Sequence, residues 1–175
     1  MKRTSFEAMT CSVARTLDVV GEWWTLLIIR DAYLGVTRFE EFQRRLGIAR
    51  NVLTARLDRL VDEGILERRA YQERPVRSEY VLTRKGEDLL PVLDALRVWG
   101  DRYAAPDGPP AVLVHDDCGQ ESRVVHVCSK CREPLRRGST HLEPGPGAKD
   151  PTFLAAGRPR REDSEPANLV HPRRS

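Results

Sequence analysis

The segment covering residues 39–82 constrains the fold more than any other part of the chain. An amphipathic helix is predicted for residues 39–46 and ends at Gly47, and a second helix begins near Ala49 and ends at Gly64. An arginine-rich stretch with the residue pattern of a β-hairpin follows. Helix, tight turn, helix and hairpin in this order are typical of a winged helix-turn-helix, whose second helix enters the major groove of DNA. The predicted fold is therefore mostly α with a small β-wing.

The second helix of this segment has two chemically different faces. Four apolar residues spaced at i, i+4, i+7 and i+8 form one stripe: Leu53, Leu57, Leu60 and Val61. The candidate DNA-contacting residues of the helix are Arg50, Asn51, Thr54, Ala55 and Arg56. A first-turn arginine is poorly placed for the helix dipole, which favours anions there, and DNA phosphate would compensate for it. An ordinary solvated helix face with scattered arginines is the alternative interpretation.

The predicted hairpin has a basic tip. Its strands cover residues 65–71 and 76–82, and Pro75 belongs in the turn between them. Arg74 and Arg77 bracket this turn, so we expect them to bind DNA phosphate. Acidic residues alternate with the arginines along the strands, which leaves open a surface hairpin whose charges serve solubility.

The flanking helices predict the core and a partner surface. Thr10 is a plausible N-cap for a helix over residues 11–20, and residues 22–33 are so apolar that we expect them to be buried nearly all round. Thr83 is predicted to cap a helix that runs to about Tyr103 and has more apolar surface than one small domain needs. A second copy of the chain would cover this surface and form a homodimer, although Trp23, Trp24 and the first helix could cover it instead.

The order and identity of the residues in the predicted domain resemble those of a known family. The run from residue 11 to about residue 109 resembles the HxlR-type branch of the MarR-like winged helix-turn-helix regulators. The matching pieces include Leu17–Trp24, Leu26–Asp31, Arg38, Phe39, Phe42, Leu46–Ile48, Leu53, Thr54, Leu60–Leu66, Arg74–Tyr80, Leu82, Thr83 and Trp99–Asp101. The resemblance implies a dimeric, cytoplasmic bacterial transcription regulator that binds a double-stranded DNA operator. By resemblance, Arg50, Asn51 and Thr54 face the groove.

Cys11 matches an N-terminal cysteine of that family, which in some members senses oxidants or electrophiles. The N-terminus of a helix favours the reactive thiolate form of cysteine. Many members have proline at the next position, where this chain has Ser12. A redox or effector sensor and an inert thiol packed near the dimer interface are both compatible with the sequence, which does not identify a small-molecule effector.

A change of composition separates a C-terminal appendix from this domain. Residues 104–110 form a linker rich in alanine and proline, and two pairs of metal-ligand residues follow. The candidate zinc ligands are His115, Cys118, Cys128 and Cys131, each pair separated by two residues. His126 or His141 could replace His115 as the fourth ligand. The alternatives to a structural zinc are a hairpin with reduced thiols and a Cys128–Cys131 disulfide.

The predicted organisation is an N-terminal arm (1–10), a winged helix-turn-helix domain (11–109), a zinc-ribbon-like β appendix (111–144) and a disordered tail (145–175). The tail mixes proline, glycine and charge, a composition typical of disorder. The chain has 29 Lys and Arg against 26 Asp and Glu, so its net charge of +3 does not by itself indicate nucleic acid. No apolar run approaches about 18 residues, so we expect no membrane span, and no apolar signal core suggests secretion.

Three classes of function are compatible with these patterns. A sequence-specific transcriptional regulator accounts for the helices and the wing together. A metal-dependent enzyme centred on His115 and the cysteines, or a protein-interaction adaptor built on a winged helix, are the alternatives. Three thiolates and one imidazole close a tetrahedral shell and leave no position for a substrate water, and no nucleophile–base pair stands out. We therefore predict no catalytic residues and no enzymatic activity.

Overall fold

The computed structural model describes residue 6 and residues 9–148. The described part falls into two compact units, within residues 1–124 and 125–175. This division lies inside the predicted appendix, between its two ligand pairs, and the domain boundaries stay predictions. Most of the predicted arm, and the predicted disordered tail beyond residue 148, lie outside the described residues. Within the arm, the Phe6 N–H donates to Asp18 Oδ2 at 2.8 Å.

Six helices and four strands make up the described structure. In chain order they are α1 (Ser12–Val20), α2 (Trp23–Tyr33), α3 (Phe39–Leu46), α4 (Arg50–Asp62), β1 (Leu66–Glu73), β2 (Val76–Leu82), α5 (Arg84–Glu87), α6 (Leu90–Tyr103), β3 (Leu113–His115) and β4 (Gln120–Ser122). β1 pairs with β2, and β3 with β4, both antiparallel. The mostly α fold with a small wing is confirmed. Among the described residues, none of the helices combines the length and apolar character that a membrane crossing demands.

The core of the domain forms around α4. The predicted stripe is confirmed, since Leu53, Leu57 and Leu60 are each at most 1% exposed. They lie in one cluster with Phe42 of α3 and Ile28 of α2. The turn between α3 and α4 passes through Gly47, whose φ of 63° is a left-handed conformation that glycine adopts at little cost.

α2 differs from the prediction, because it is buried on one side and not all round. Ile28 and Ile29 enter the core, but the Trp23 side chain at the start of the helix is 87% exposed. α3, α4 and β2 pack against the helix. Its apolar content therefore divides between the core and the surface, a division that an apolar run alone does not reveal.

A buried carboxylate joins α2 to α3. Asp31 is 0% exposed, and its Oδ1 accepts from Arg30 Nη2 at 2.8 Å. Its Oδ2 accepts from Arg45 Nε at 3.2 Å across the helix pair. Both oxygens of the carboxylate are therefore satisfied, as burial of a charge requires.

The wing is attached to the helices by main-chain hydrogen bonds. The Tyr80 N–H donates to Thr37 O at 2.8 Å, and an isolated antiparallel bridge pairs Arg38 with Glu79. At the base of the wing, a Cβ on Gly86 would lie 2.4 Å from the carbonyl oxygen of Ile65. The close approach of α5 to residue 65, immediately before β1, therefore requires glycine.

Two helix boundaries differ from the sequence prediction. Cys11, rather than Thr10, occupies the N-cap of α1, without a side-chain capping bond. Thr83 caps the helix after the wing as predicted, because its hydroxyl accepts from the Gly86 N–H at 3.2 Å. The predicted single helix is however divided into α5 and α6. Pro91, in the first turn of α6, lacks the N–H that would continue the helical bonding from α5.

Replacing Asp31 by Asn should lower the free energy of unfolding by about 2 kcal/mol, because hydrogen bonds to a charged group contribute about 1.5–3 kcal/mol. Urea denaturation followed by circular dichroism measures this difference. The matched control is Asp88→Asn, since Asp88 is 64% exposed and pairs with Arg84 at the surface. The control should change stability by less than about 0.5 kcal/mol, and equal losses in the two variants would contradict a special role for Asp31.

Candidate nucleic-acid interface

The outer face of α4 presents a mixed polar surface. Arg50, Asn51, Thr54 and Ala55, all predicted to contact DNA, are exposed on the first turns of this helix. The Thr54 hydroxyl donates to Arg50 O at 2.9 Å. The Arg50 guanidinium lies 4.9 Å from the centre of the Phe39 ring, a cation–π contact that orients it. These four residues thus form one accessible surface, which we call the reader face.

Arg56 differs from the other candidates on α4. Its Nη2 lies 3.2 Å from Glu22 Oε2, and its side chain is only 24% exposed. Its Nε is buried and has no hydrogen-bond acceptor among the described residues. The charge of Arg56 is therefore already partnered inside the domain, and its contact with DNA stays a prediction.

The tip of the wing has two exposed arginines. Arg74 lies in the turn between β1 and β2, Arg77 is the second residue of β2, and within the described part of the chain neither forms an ion pair. Farther from the tip, Arg69 pairs with Glu67. Unpaired cations at the tip can neutralise phosphate without first breaking an internal contact.

Arg68 belongs to the wing but is held by its neighbour. Its guanidinium lies 5.9 Å from the centre of the Tyr80 ring. Burial raises the pKa of Tyr80, and the nearby Arg68 partly opposes this shift. The Tyr80 hydroxyl therefore stays neutral, and the ring serves as packing for the wing.

Arg38 is a candidate contact that the sequence patterns did not identify. It is exposed, lies at the N-cap of α3, and its guanidinium is 5.0 Å from the centre of the Tyr71 ring in β1. Tyr71 is the residue at which the register of the hairpin shifts. Arg38 thus joins the helix-turn-helix to the wing. The sequence signal that could have identified it is an arginine at a helix N-cap, a position that normally has a residue with a side-chain oxygen.

An apolar seam runs along α6. Four side chains at i, i+4, i+7 and i+11 are between 41% and 62% exposed: Val92, Leu96, Trp99 and Tyr103. The Trp99 and Tyr103 ring centres lie 5.4 Å apart. On α1, Val13 and Leu17 are exposed as well. No residue of α6 is buried, so this helix has a face that the single chain leaves open.

None of the four cysteines, Cys11 and the three of the appendix, forms a disulfide in the structure. Cys11 lies at the start of α1 and is partly exposed. In the appendix, His115 Nδ1 and Cys118 Sγ are 3.3 Å apart. Hydrogen bonds from the backbone of Cys131 and of Lys130 lower the pKa of Cys128.

The predicted zinc ligands are thus brought together as two pairs. Within residues 6 and 9–148, no group of three or more His, Cys, Asp or Glu side chains forms a metal-binding cluster. Residues 123–126, which lead towards Cys128, form no strand, and Val127 forms only an isolated bridge with Pro134. The zinc assignment stays a prediction.

A reader face on the second helix of a helix-turn-helix and a basic wing tip define a DNA-binding winged helix-turn-helix protein. Residues 19–108 match the family described as HxlR-like helix-turn-helix. The chain belongs to this family of transcriptional regulators, which confirms the resemblance inferred from the sequence.

Relatives and solved structures agree with this assignment. An uncharacterised HTH-type transcriptional regulator of Mycobacterium tuberculosis is 45% identical over 139 residues, 79% of this chain and 88% of that protein. The crystal structure of PA1607, solved as a candidate transcription factor, is 43% identical with a TM-score of 0.71, and the match covers 80% of this chain and 99% of that one. The redox regulator HypR in its reduced form is 33% identical with a TM-score of 0.50, covering 55% of this chain and 99% of that one.

Proposed function

We propose that this transcriptional regulator binds a specific operator sequence as a homodimer. The observation that carries the proposal is the coexistence of an exposed reader face on α4 and two exposed arginines at the wing tip, Arg74 and Arg77. The reader face and the wing tip have different tasks, because base contacts specify sequence and phosphate contacts position the protein. We propose a cytoplasmic protein whose partner is double-stranded DNA, a function that uses no catalytic residues.

The residues of the reader face divide by chemistry. The Asn51 amide can donate to and accept from adenine in the major groove, and Arg50 can bind guanine through paired donors. The Thr54 hydroxyl donates to the helix, so its methyl group is free to meet a thymine methyl. Arg74 and Arg77 would bind phosphate beside the reader helix, and the exposed Arg38 adds a third cation between helix and wing.

A second copy of the chain is the proposed occupant of the α6 seam. The seam is narrow, as expected for helix-to-helix packing of two symmetry-related chains. It lies on a different element from the reader face, so a partner can cover it while α4 stays accessible. Two copies present two reader helices, which fits an operator made of paired half-sites.

We further propose that oxidants or electrophiles act through Cys11. Its thiol is partly exposed, lies at a helix N-cap, and makes no capping hydrogen bond. α1, which begins at this thiol, also has exposed apolar residues, Val13 and Leu17. Modification of this thiol would then alter how two chains meet, and through that the separation of their reader helices. The similarity to the redox regulator HypR supports this proposal.

Replacing Arg77 by Ala should weaken binding to all DNA sequences and reduce the slope of log K against log salt by about one, since one phosphate contact is lost. Fluorescence anisotropy over a salt series measures both. The matched control is Arg84→Ala, because Arg84 is 84% exposed but follows the base of the wing. An equal effect of the two changes would remove Arg77 from the interface.

Replacing Asn51 by Ala should instead relax discrimination at one base pair by about 1–3 kcal/mol.

Replacing Trp99 by Glu should convert the dimer to a monomer without unfolding it. Trp99 is 62% exposed in the single chain, so the change costs little internal packing but places a charge in the proposed apolar interface. Sedimentation velocity, with circular dichroism as the check on folding, tests this. Arg102→Glu on the same helix is the control and should remain dimeric. A folded Trp99→Glu dimer would place the interface elsewhere.

A mild oxidant should change the affinity of the wild-type protein for the DNA that it selects from a random pool, and should leave the Cys11→Ser variant unaffected. Only the thiol at residue 11 differs between the two proteins, so their difference isolates its chemistry. The Cys131→Ser variant is the control for the appendix thiols and should respond as the wild type does. Equal responses of the wild type and Cys11→Ser would rule out Cys11 as the sensor.

A further inference from the structure

Two neighbouring residues at the start of α3 contact the two elements that carry the proposed DNA contacts. Arg38, at the N-cap of α3, has its guanidinium 5.0 Å from the centre of the Tyr71 ring in the wing. Phe39, the first residue of α3, has the Arg50 guanidinium of α4 4.9 Å from the centre of its ring. Phe39 is not among the proposed DNA contacts, yet its ring lies where it can set the direction of one of them.

The Phe39 ring is held in place by the rest of the domain. Its side chain is partly buried and packs against the hydrophobic core. The preceding residue, Arg38, forms an antiparallel bridge with Glu79 of β2, which attaches the start of α3 to the wing. The ring therefore gives Arg50 a surface whose position is fixed by both the core and the wing.

The backbone of Arg50 is fixed by the core as well. Ile48, two residues before it, is 3% exposed, and Leu53, three residues after it, is 0% exposed. The Arg50 side chain, by contrast, is exposed. Packing thus determines where this side chain begins but not where its guanidinium points, and the contact with Phe39 supplies the second restriction.

The contact orients the Arg50 charge without neutralising it. An aromatic ring attracts a guanidinium through the negative face of its π-system and leaves the N–H donors at the edge of the group available. Among the described residues no carboxylate forms an ion pair with Arg50, although Glu40 and Glu41 lie in the first turn of α3. A carboxylate partner would occupy the donors that a base needs, whereas the Phe39 ring does not.

Recognition of a guanine depends strongly on the direction of the arginine. The guanidinium binds O6 and N7 of the base through two hydrogen bonds at once, which restricts its orientation. A long side chain has many rotamers, and the apparent affinity falls in proportion to the fraction in the competent one. A contact that favours this rotamer therefore strengthens binding to the correct base and adds nothing for a base that cannot accept both bonds.

We propose that Phe39 is a positioning residue for base recognition, which holds the Arg50 guanidinium in the direction from which it reads a guanine. This role rests on the proposed function, in which Arg50 contacts a base. Phe39 determines specificity through Arg50 and not through a DNA contact of its own.

Replacing Phe39 by Leu should reduce discrimination at one base pair by about twofold to fivefold, the factor expected when an exposed cation–π contact is lost. Fluorescence anisotropy measures this with the duplex that the protein selects from a random pool and with a panel in which each of its base pairs is replaced in turn. Phe39→Met, which also lacks a ring, should behave as Phe39→Leu does. Phe39→Tyr keeps a ring and should retain the discrimination. The salt dependence of binding should not change, because no charge is removed.

The affected base pair should be the one at which Arg50→Ala loses discrimination. The double variant Phe39→Leu, Arg50→Ala should then lose no more than Arg50→Ala alone, since the ring acts only through the arginine. Tyr71→Leu is the matched control, because it removes the ring that contacts Arg38 instead, and it should leave discrimination at every base pair unchanged. Circular dichroism checks that each variant is folded.

A measurement without DNA tests the same contact. The NMR order parameter of the Arg50 Nε–H in the free protein should be lower in Phe39→Leu and Phe39→Met than in the wild type and Phe39→Tyr. An unchanged order parameter, an equal loss across all base pairs of the panel, or additive losses in the double variant would overturn the proposal and leave the base contact of Arg50 intact. If Arg50→Ala changed discrimination at no base pair, both that base contact and the role of Phe39 would be wrong.

Discussion

The burial of three leucines on α4 is the interaction on which the DNA-binding surface depends. Leu53, Leu57 and Leu60 are almost completely excluded from solvent, and each such burial contributes about 1.5–3 kcal/mol. Because side chains project from a helix about every 100°, fixing one stripe fixes the direction of all other positions. Asn51 and Thr54 are accessible to solvent because the buried leucines turn the opposite side of the helix outward. The chemistry of the reader face therefore follows from the packing of the opposite face.

Polar contacts also hold α4 in position. On α4, Arg56 pairs with Glu22 at the start of α2, and Arg59 Nη2 donates to Asp18 O of α1 at 2.8 Å. Arg50 at the other end of the helix stays exposed. The arginines of one helix thus have two tasks, since those beside the core fix the helix in place and the one at its N-terminus is free for a ligand. The buried Asp31 holds α3 in the same way.

Much of this architecture was predictable because it depends on local patterns. The apolar spacing of α4, Gly47 in the turn and the arginines around Pro75 are all visible in the sequence, and the structure places them as expected. The features that the sequence did not predict depend on contacts between residues that are far apart in the chain. Nothing local to Arg56 indicates Glu22, and nothing in the run around Trp23 indicates which half of α2 lacks a neighbour. For the appendix, the sequence indicated the ligand spacing, but the 3.3 Å approach of His115 Nδ1 to Cys118 Sγ is visible only in the structure.

The break between α5 and α6 has an evolutionary consequence. Thr83 and Gly86 fix α5 against the base of the wing, whereas α6 begins anew at Leu90 and presents its seam outward. Each residue inserted into α6 would turn the seam by about 100° and advance it by about 1.5 Å, with no displacement of the wing. Selection can therefore change the direction of the seam while the reader face stays the same. For a dimer assembled through the seam, as proposed above, relatives with the same reader face would in this way differ in the spacing of their half-sites.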